Sequence, residues 1–100
     1  ELFPEPGDPV IRKTSVGAFA STGLDHLLRS LGCEHLFLTG VSTNMCVEIT
    51  AREAADRGYA VTLVEDACAT THKELHDGTL QNFNRFFGKV RSTHDVLKLL

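Results

Sequence analysis

Apolar residues follow two rhythms along this chain. Leu36–Leu38 is an unbroken apolar run and Ala60–Val64 is apolar apart from Thr62, as expected of parallel strands covered on both faces. Elsewhere the spacing is helical. Leu24, Leu27, Leu28 and Leu31 fall at i, i+3, i+4 and i+7, and Gly32 ends that segment. From Met45 to Arg57 the narrow face is made of Val47, Thr50, Ala51 and Ala54, small enough for close packing on a sheet, and Gly58 stops it. A third helix is predicted from His72 to Phe87, with Leu75, Thr79, Leu80, Phe83, Phe86 and Phe87 on or near one side, ending at Gly88.

Shorter signals complete the pattern. Val10–Lys13 and Lys89–Arg91 read as short strands, and residues 67–71 as a loop. Thr22 with Asp25 three residues on predicts a capping box, and Ser92 with Asp95 predicts another before a last helix carrying Val96, Leu97, Leu99 and Leu100. Pro4, Pro6 and Pro9 all lie in the first nine residues, which predicts an extended arm. The result is βαβαβαβα. That alternation predicts one α/β domain over residues 1–100, three-layer αβα with a parallel sheet. In such sheets sites gather at the carboxyl ends of strands. Lys13, Gly40–Cys46 and Asp66–Thr71 all fall there.

The chemistry centres on one cysteine. Ser42, Thr43 and Asn44 are cap-forming residues, so Cys46 is expected in the first turn of a helix that follows a strand directly. Free N–H groups and the positive end of the dipole favour a thiolate there and offer donors to an oxyanion. The other cysteines have simpler readings. Cys33 is expected as a core-side filler; Cys68 is either a small residue under its loop or a second reactive thiol. His72 and His76, four apart, form a solvated helix face or helix-start contacts, or else two metal ligands, and no metal is expected. Glu48–Arg52, Arg52–Asp56 and Glu53–Arg57 read as i,i+4 pairs on a wet face.

Composition narrows the partners. Hydrophobic residues make up 42% and the net charge is −3, so neither a disordered chain nor a nucleic-acid binder is indicated. No apolar stretch approaches the roughly 20 residues of a membrane span. An odd count of three cysteines without a secretory signal predicts free thiols and a cytoplasmic protein.

The run Thr39–Gly40–Val41–Ser42–Thr43–Asn44–Met45–Cys46–Val47–Glu48, with Thr50–Ala54, Gly58–Tyr59 and Asp66–Ala67, resembles the cysteine-hydrolase (isochorismatase-like) superfamily. Upstream, Val10–Lys13, Ala18–Phe19 and Thr22–Asp25 resemble its lysine strand and the helix after it. Within the superfamily the segments around Thr22–Arg29 and Thr39–Glu48 are most similar to ureidoacrylate and N-carbamoyl amidohydrolases.

The resemblance implies a triad of aspartate, lysine and cysteine, with Lys13 and Cys46 as two of its members. It implies an oxyanion hole from the amides of Ser42 and Cys46, a cis Val41–Ser42 peptide, and candidate substrate-lining residues Phe19, Thr43 and Asn44. No cofactor is expected. The substrate would be a small amide or carbamoyl compound, attacked by the thiolate and released through a thioester.

The family aspartate precedes the lysine by a whole strand, and no match to it is found. Asp8 lies on the arm and Asp66 matches a structural position. The chain therefore reads as the C-terminal two-thirds of the family fold, truncated at the N-terminus and impaired as a catalyst. In the family order 3-2-1-4-5-6, Val10–Lys13 would be strand 3, with two absent strands between it and Leu36–Thr39. That gap predicts a homo-oligomer, or a missing N-terminal segment, closing the edge. A second reading is a non-catalytic, truncated family member serving as an oligomeric binding or assembly module.

Overall fold

The computed structural model describes residues 3–100. In chain order it contains α1 (Leu24–Ser30), β1 (His35–Val41), a π turn (Thr43–Val47), α2 (Glu48–Asp56), β2 (Ala60–Ala69), α3 (Lys73–Phe86), β3 (Lys89–Arg91) and α4 (Thr93–Leu99). The three strands form one parallel sheet in the order β1-β2-β3. The fold is α/β, as the alternation predicts.

Val10–Lys13 is not a strand. A strand is defined by its ladder, and no neighbour lies beside this segment among the described residues. Its residues are exposed, and the arm turns locally instead: Asp8 N–H donates to Glu5 C=O at 3.0 Å, and Glu5 N–H to Asp8 Oδ2 at 2.9 Å.

The second correction concerns residues 67–69, expected in a loop and found in β2. The pairing runs regularly from His35↔Ala60 to Leu38↔Leu63, then jumps to Gly40↔Cys68 and Val41↔Ala69. An irregularity between Leu38 and Gly40 carries β1 across to later partners on β2. Gly40 adopts φ 124°, a conformation open to glycine because it lacks Cβ.

The core is built where α2 and α3 meet the sheet. Ala51 and Ala54 are wholly buried, so the α2 backbone approaches closely, and Val61, Leu63 and Phe83 fill the space beside them. Burial of this apolar surface is the main favourable term in folding. The expected Glu48–Arg52 and Glu53–Arg57 pairs form at 2.8 and 3.7 Å. Arg52 also lies over the Phe87 ring, 4.6 Å from its centroid, rather than turning to Asp56.

At α1 the expected capping box does not close. Gly23 is the N-cap, while Thr22 Oγ1 accepts from Leu24 N–H at 3.1 Å and donates to Ala18 C=O. Asp25 accepts instead from the Tyr59 hydroxyl at 2.7 Å. That bond holds the Asp25 carboxyl below its usual range; desolvation, then the same bond, raises the Tyr59 phenol. The Ser92 cap does form, with Ser92 Oγ accepting from Asp95 N–H at 3.1 Å.

Candidate active site

Cys46 lies in the π turn, which runs into α2 without a break. The turn is wider than the α-helical start expected. Val47 N–H reaches back five residues to Ser42 C=O at 3.3 Å, and Met45 N–H donates to the same oxygen at 3.0 Å. Ser42 itself is extended, at φ −98° and ψ 143°, and the Val41–Ser42 peptide is cis.

The half-buried Cys46 lines a cavity of about 320 Å³. Ala18, Leu24, Leu38, Val41 and Val47 give it apolar walls, and Lys13 lines it too. Lys13 reaches this place without belonging to a strand. Its Nζ donates to the carbonyls of Ser15 and Val16, each at 3.0 Å, so the chain wraps around the ammonium.

That loop is docked on α2. Ser21 Oγ accepts from Thr14 N–H at 3.0 Å and Ser15 N–H at 3.1 Å, and Ala18 N–H donates to Thr50 Oγ1 at 3.0 Å. Gly17 lies against Ile49 and Glu53 with no room for a Cβ. The helix that extends from Cys46 therefore also holds the loop that follows Lys13.

The three candidate lining residues are placed elsewhere. Phe19 is 4% exposed and sits in the core, its ring 6.2 Å from Tyr59 and 4.7 Å below the Arg57 guanidinium; Ala18 is the neighbour that faces the cavity. Thr43 is fully buried, with Oγ1 2.7 Å from His76 Nδ1. Asn44 Oδ1 accepts from the Thr70 hydroxyl at 2.7 Å. Polar side chains leaving the cavity wall find their partners in the protein instead. Ser42 borders a second depression of about 260 Å³, with Val41, Ala69, Thr70 and Thr71.

The remaining candidates also resolve. Cys68 is buried in β2, its S–H directed at Leu38 C=O at 3.8 Å, and burial pushes its thiol up, the opposite of activation. His72 contacts Thr71 and His76 contacts Thr43, and no group of three potential metal ligands exists among the described residues. Asp66 accepts from Thr93 N–H and Thr93 Oγ1–H, both at 2.8 Å, which hold its carboxyl below the usual range at the start of α4. No carboxylate lines the Cys46 cavity among the described residues.

Residues 1–95 match the isochorismatase domain. The chain belongs to the isochorismatase family. The ureidoacrylate amidohydrolase RutB of Enterobacter sp. (strain 638) is 43% identical over 96 residues, covering 95% of this chain and 42% of that protein. An isochorismatase-like hydrolase from Alkaliphilus metalliredigens superposes with a TM-score of 0.93 at 32% identity, covering 98% of this chain and 54% of the other. An isochorismatase family protein from Burkholderia thailandensis gives 0.89 at 38%, covering 92% and 48%. The chain thus spans about half the length of the relatives it matches, or less. No helix among the described residues is long and apolar enough to cross a membrane.

In this isochorismatase family member, the residues that hold the site are partly ones that pattern alone does not mark. Gly17 and Thr50 fix the lysine loop, and His76 with Thr43 ties α3 to the cysteine turn. Gly17 lies between Lys13 and α1, where no periodic pattern marks it. The signal for His76 was its place one helical turn after His72, which does not say which neighbour it meets.

Proposed function

We propose that this chain carries the nucleophile of a cysteine amidohydrolase acting on the C–N bond of a small amide, ureido or N-carbamoyl compound. The observation that carries the reading is the shared cavity: a cysteine at the start of a helix and a lysine line one pocket with apolar walls. Lysine has three N–H donors, and two of Lys13's go to the Ser15 and Val16 carbonyls. The third is left to orient a substrate oxygen, while the charge holds a thiolate by Coulomb attraction.

In the reaction, Cys46 Sγ attacks the carbonyl carbon and the oxyanion is received by the amides of Ser42 and Cys46. The C–N bond breaks, the proton lost by the thiol leaves on the nitrogen as ammonia or an amine, and a thioester remains (a thiocarbamate when the substrate is a ureido or N-carbamoyl compound). Water then cleaves the thioester and restores the thiol. The similarity to ureidoacrylate amidohydrolases supports a ureido or carbamoyl substrate class. A free thiol nucleophile fits a reducing, cytoplasmic setting. Acid quenching during reaction with an N-carbamoyl amino acid, followed by peptide mass analysis, tests the reading. A substrate-derived mass on the peptide containing Cys46 is expected; turnover with the adduct on another residue overturns it.

We further propose that the outer edge of β1 is closed by a second copy of the chain. β1 pairs with β2 alone among the described residues, and an open edge is a template for pairing. Two-fold dimers are the commonest assembly. Sedimentation at micromolar concentration is expected to give a dimer, which Phe37→Pro, at a position whose N–H faces away from β2, should weaken. A monomer that keeps a fully cooperative melt overturns this reading.

A further inference from the structure

We propose that His76 is a positioning residue for Cys46, acting through Thr43; this rests on the reading of Cys46 as nucleophile. Two side-chain hydrogen bonds join α3 to the segment that carries the cysteine. His76 Nδ1 meets Thr43 Oγ1 at 2.7 Å, and Thr79 Oγ1 donates to Glu48 Oε1 at 2.6 Å. His76 and Thr79 are three residues apart on α3, so they share a face. Thr43 and Glu48 bracket Met45, Cys46 and Val47 on the other side. The nucleophile is therefore suspended between two rungs.

The geometry assigns the His76 rung the larger effect. Thr43 is the first residue of the π turn and is fully buried, so no water can replace its partner. It directly follows Ser42, whose carbonyl accepts from both Met45 and Val47. A shift at Thr43 moves that carbonyl, the turn built on it and the sulfur inside the turn. The Asn44–Thr70 bond fixes the same segment from the end of β2. No α3 residue lines the Cys46 cavity. His76 has no place against a substrate there, which makes it a positioning rather than a catalytic residue.

The test reads alkylation of Cys46, Cys33 and Cys68 by chloroacetamide, resolved by peptide mass analysis. His76→Phe keeps a ring without a hydrogen-bonding nitrogen and is expected to slow Cys46 about tenfold, in line with the sensitivity of chemistry to small misplacements. His76→Asn, whose amide reaches the Nδ1 position, is expected to restore most of the rate. Cys68, which is buried, should stay protected throughout and reports on the fold. Thr43→Val should slow Cys46 equally, and the double variant no further, because both remove one bond.

If His76→Phe exposes Cys68, Thr43→Val against Thr43→Ser decides: a slow valine variant beside a normal serine variant supports the inference, and equal rates overturn it. Fast labelling that survives Cys46→Ala overturns the nucleophile reading and the inference with it. A fast Cys46 indifferent to His76→Phe and Thr43→Val overturns the inference alone.

Discussion

Cys46→Ala is expected to remove the fast-reacting thiol and every trace of C–N hydrolysis. The three thiols occupy different surroundings. Cys68 is buried, bonded to Leu38 C=O and shifted upward, so it should react slowly. Cys33 is half-buried in the connection between α1 and β1. Cys46 shares its cavity with a lysine. Lys13→Met should slow alkylation of Cys46 about tenfold, as expected if the ammonium favours the attacking sulfur. Hydrolysis itself should be slow even before mutation. No carboxylate lines the cavity among the described residues, and a site working without a general base should lose roughly 10²–10⁴-fold in rate. Alkylation rate against pH, and turnover of an N-carbamoyl amino acid, check both parts. Labelling that persists unchanged after Cys46→Ala sinks the assignment; turnover near the usual range of about 1–10³ s⁻¹ shows that another group supplies the proton transfers.

Phe83→Ala is expected to destabilise the chain by about 3–5 kcal/mol, the range for deleting a buried ring. Phe83 is 1% exposed and joins α3 to the sheet, with its ring 5.9 Å from Phe87. A domain has only about 5–15 kcal/mol in total, so the loss approaches the lower limit. Gly88→Ala provides an independent probe of the same contact. A Cβ at Gly88 would meet the Val61 carbonyl and the edge of the Phe83 ring, and the backbone side of that clash cannot swing away. Urea denaturation followed by circular dichroism measures both. A Phe83→Ala variant within 1 kcal/mol of the parent, on the same scale, would show that α3 is not anchored through this ring.

Much of this was legible in the chain. The apolar runs at Leu36–Leu38 and Ala60–Val64, the helical spacing from Leu75 to Phe87 and the small-residue face of Val47, Thr50, Ala51 and Ala54 predicted two strands, two helices and a parallel sheet, and those elements form. Such features are local: burial on a strand or helix repeats with the period of the element itself. Ser92 is local too, since its cap partner Asp95 lies three residues away.

What failed depended on distant partners. Val10–Lys13 has the composition of a strand but finds no strand to pair with among the described residues. β2 continues to Ala69 only because β1 changes register at Gly40. Thr22 and Asp25 have the spacing of a capping box, yet Tyr59, 34 residues away, captures the carboxylate. Phe19, Thr43 and Asn44 sit near the nucleophile in sequence, and tertiary packing sends them into the core, to His76 and to Thr70. Sequence by itself determined the periodic elements and the family, because both reside in residue order. The cavity shared by Lys13 and Cys46, the width of the turn that holds the sulfur, and the bond from His76 behind it were decided by the tertiary structure, because each depends on which surfaces the folded chain presses together.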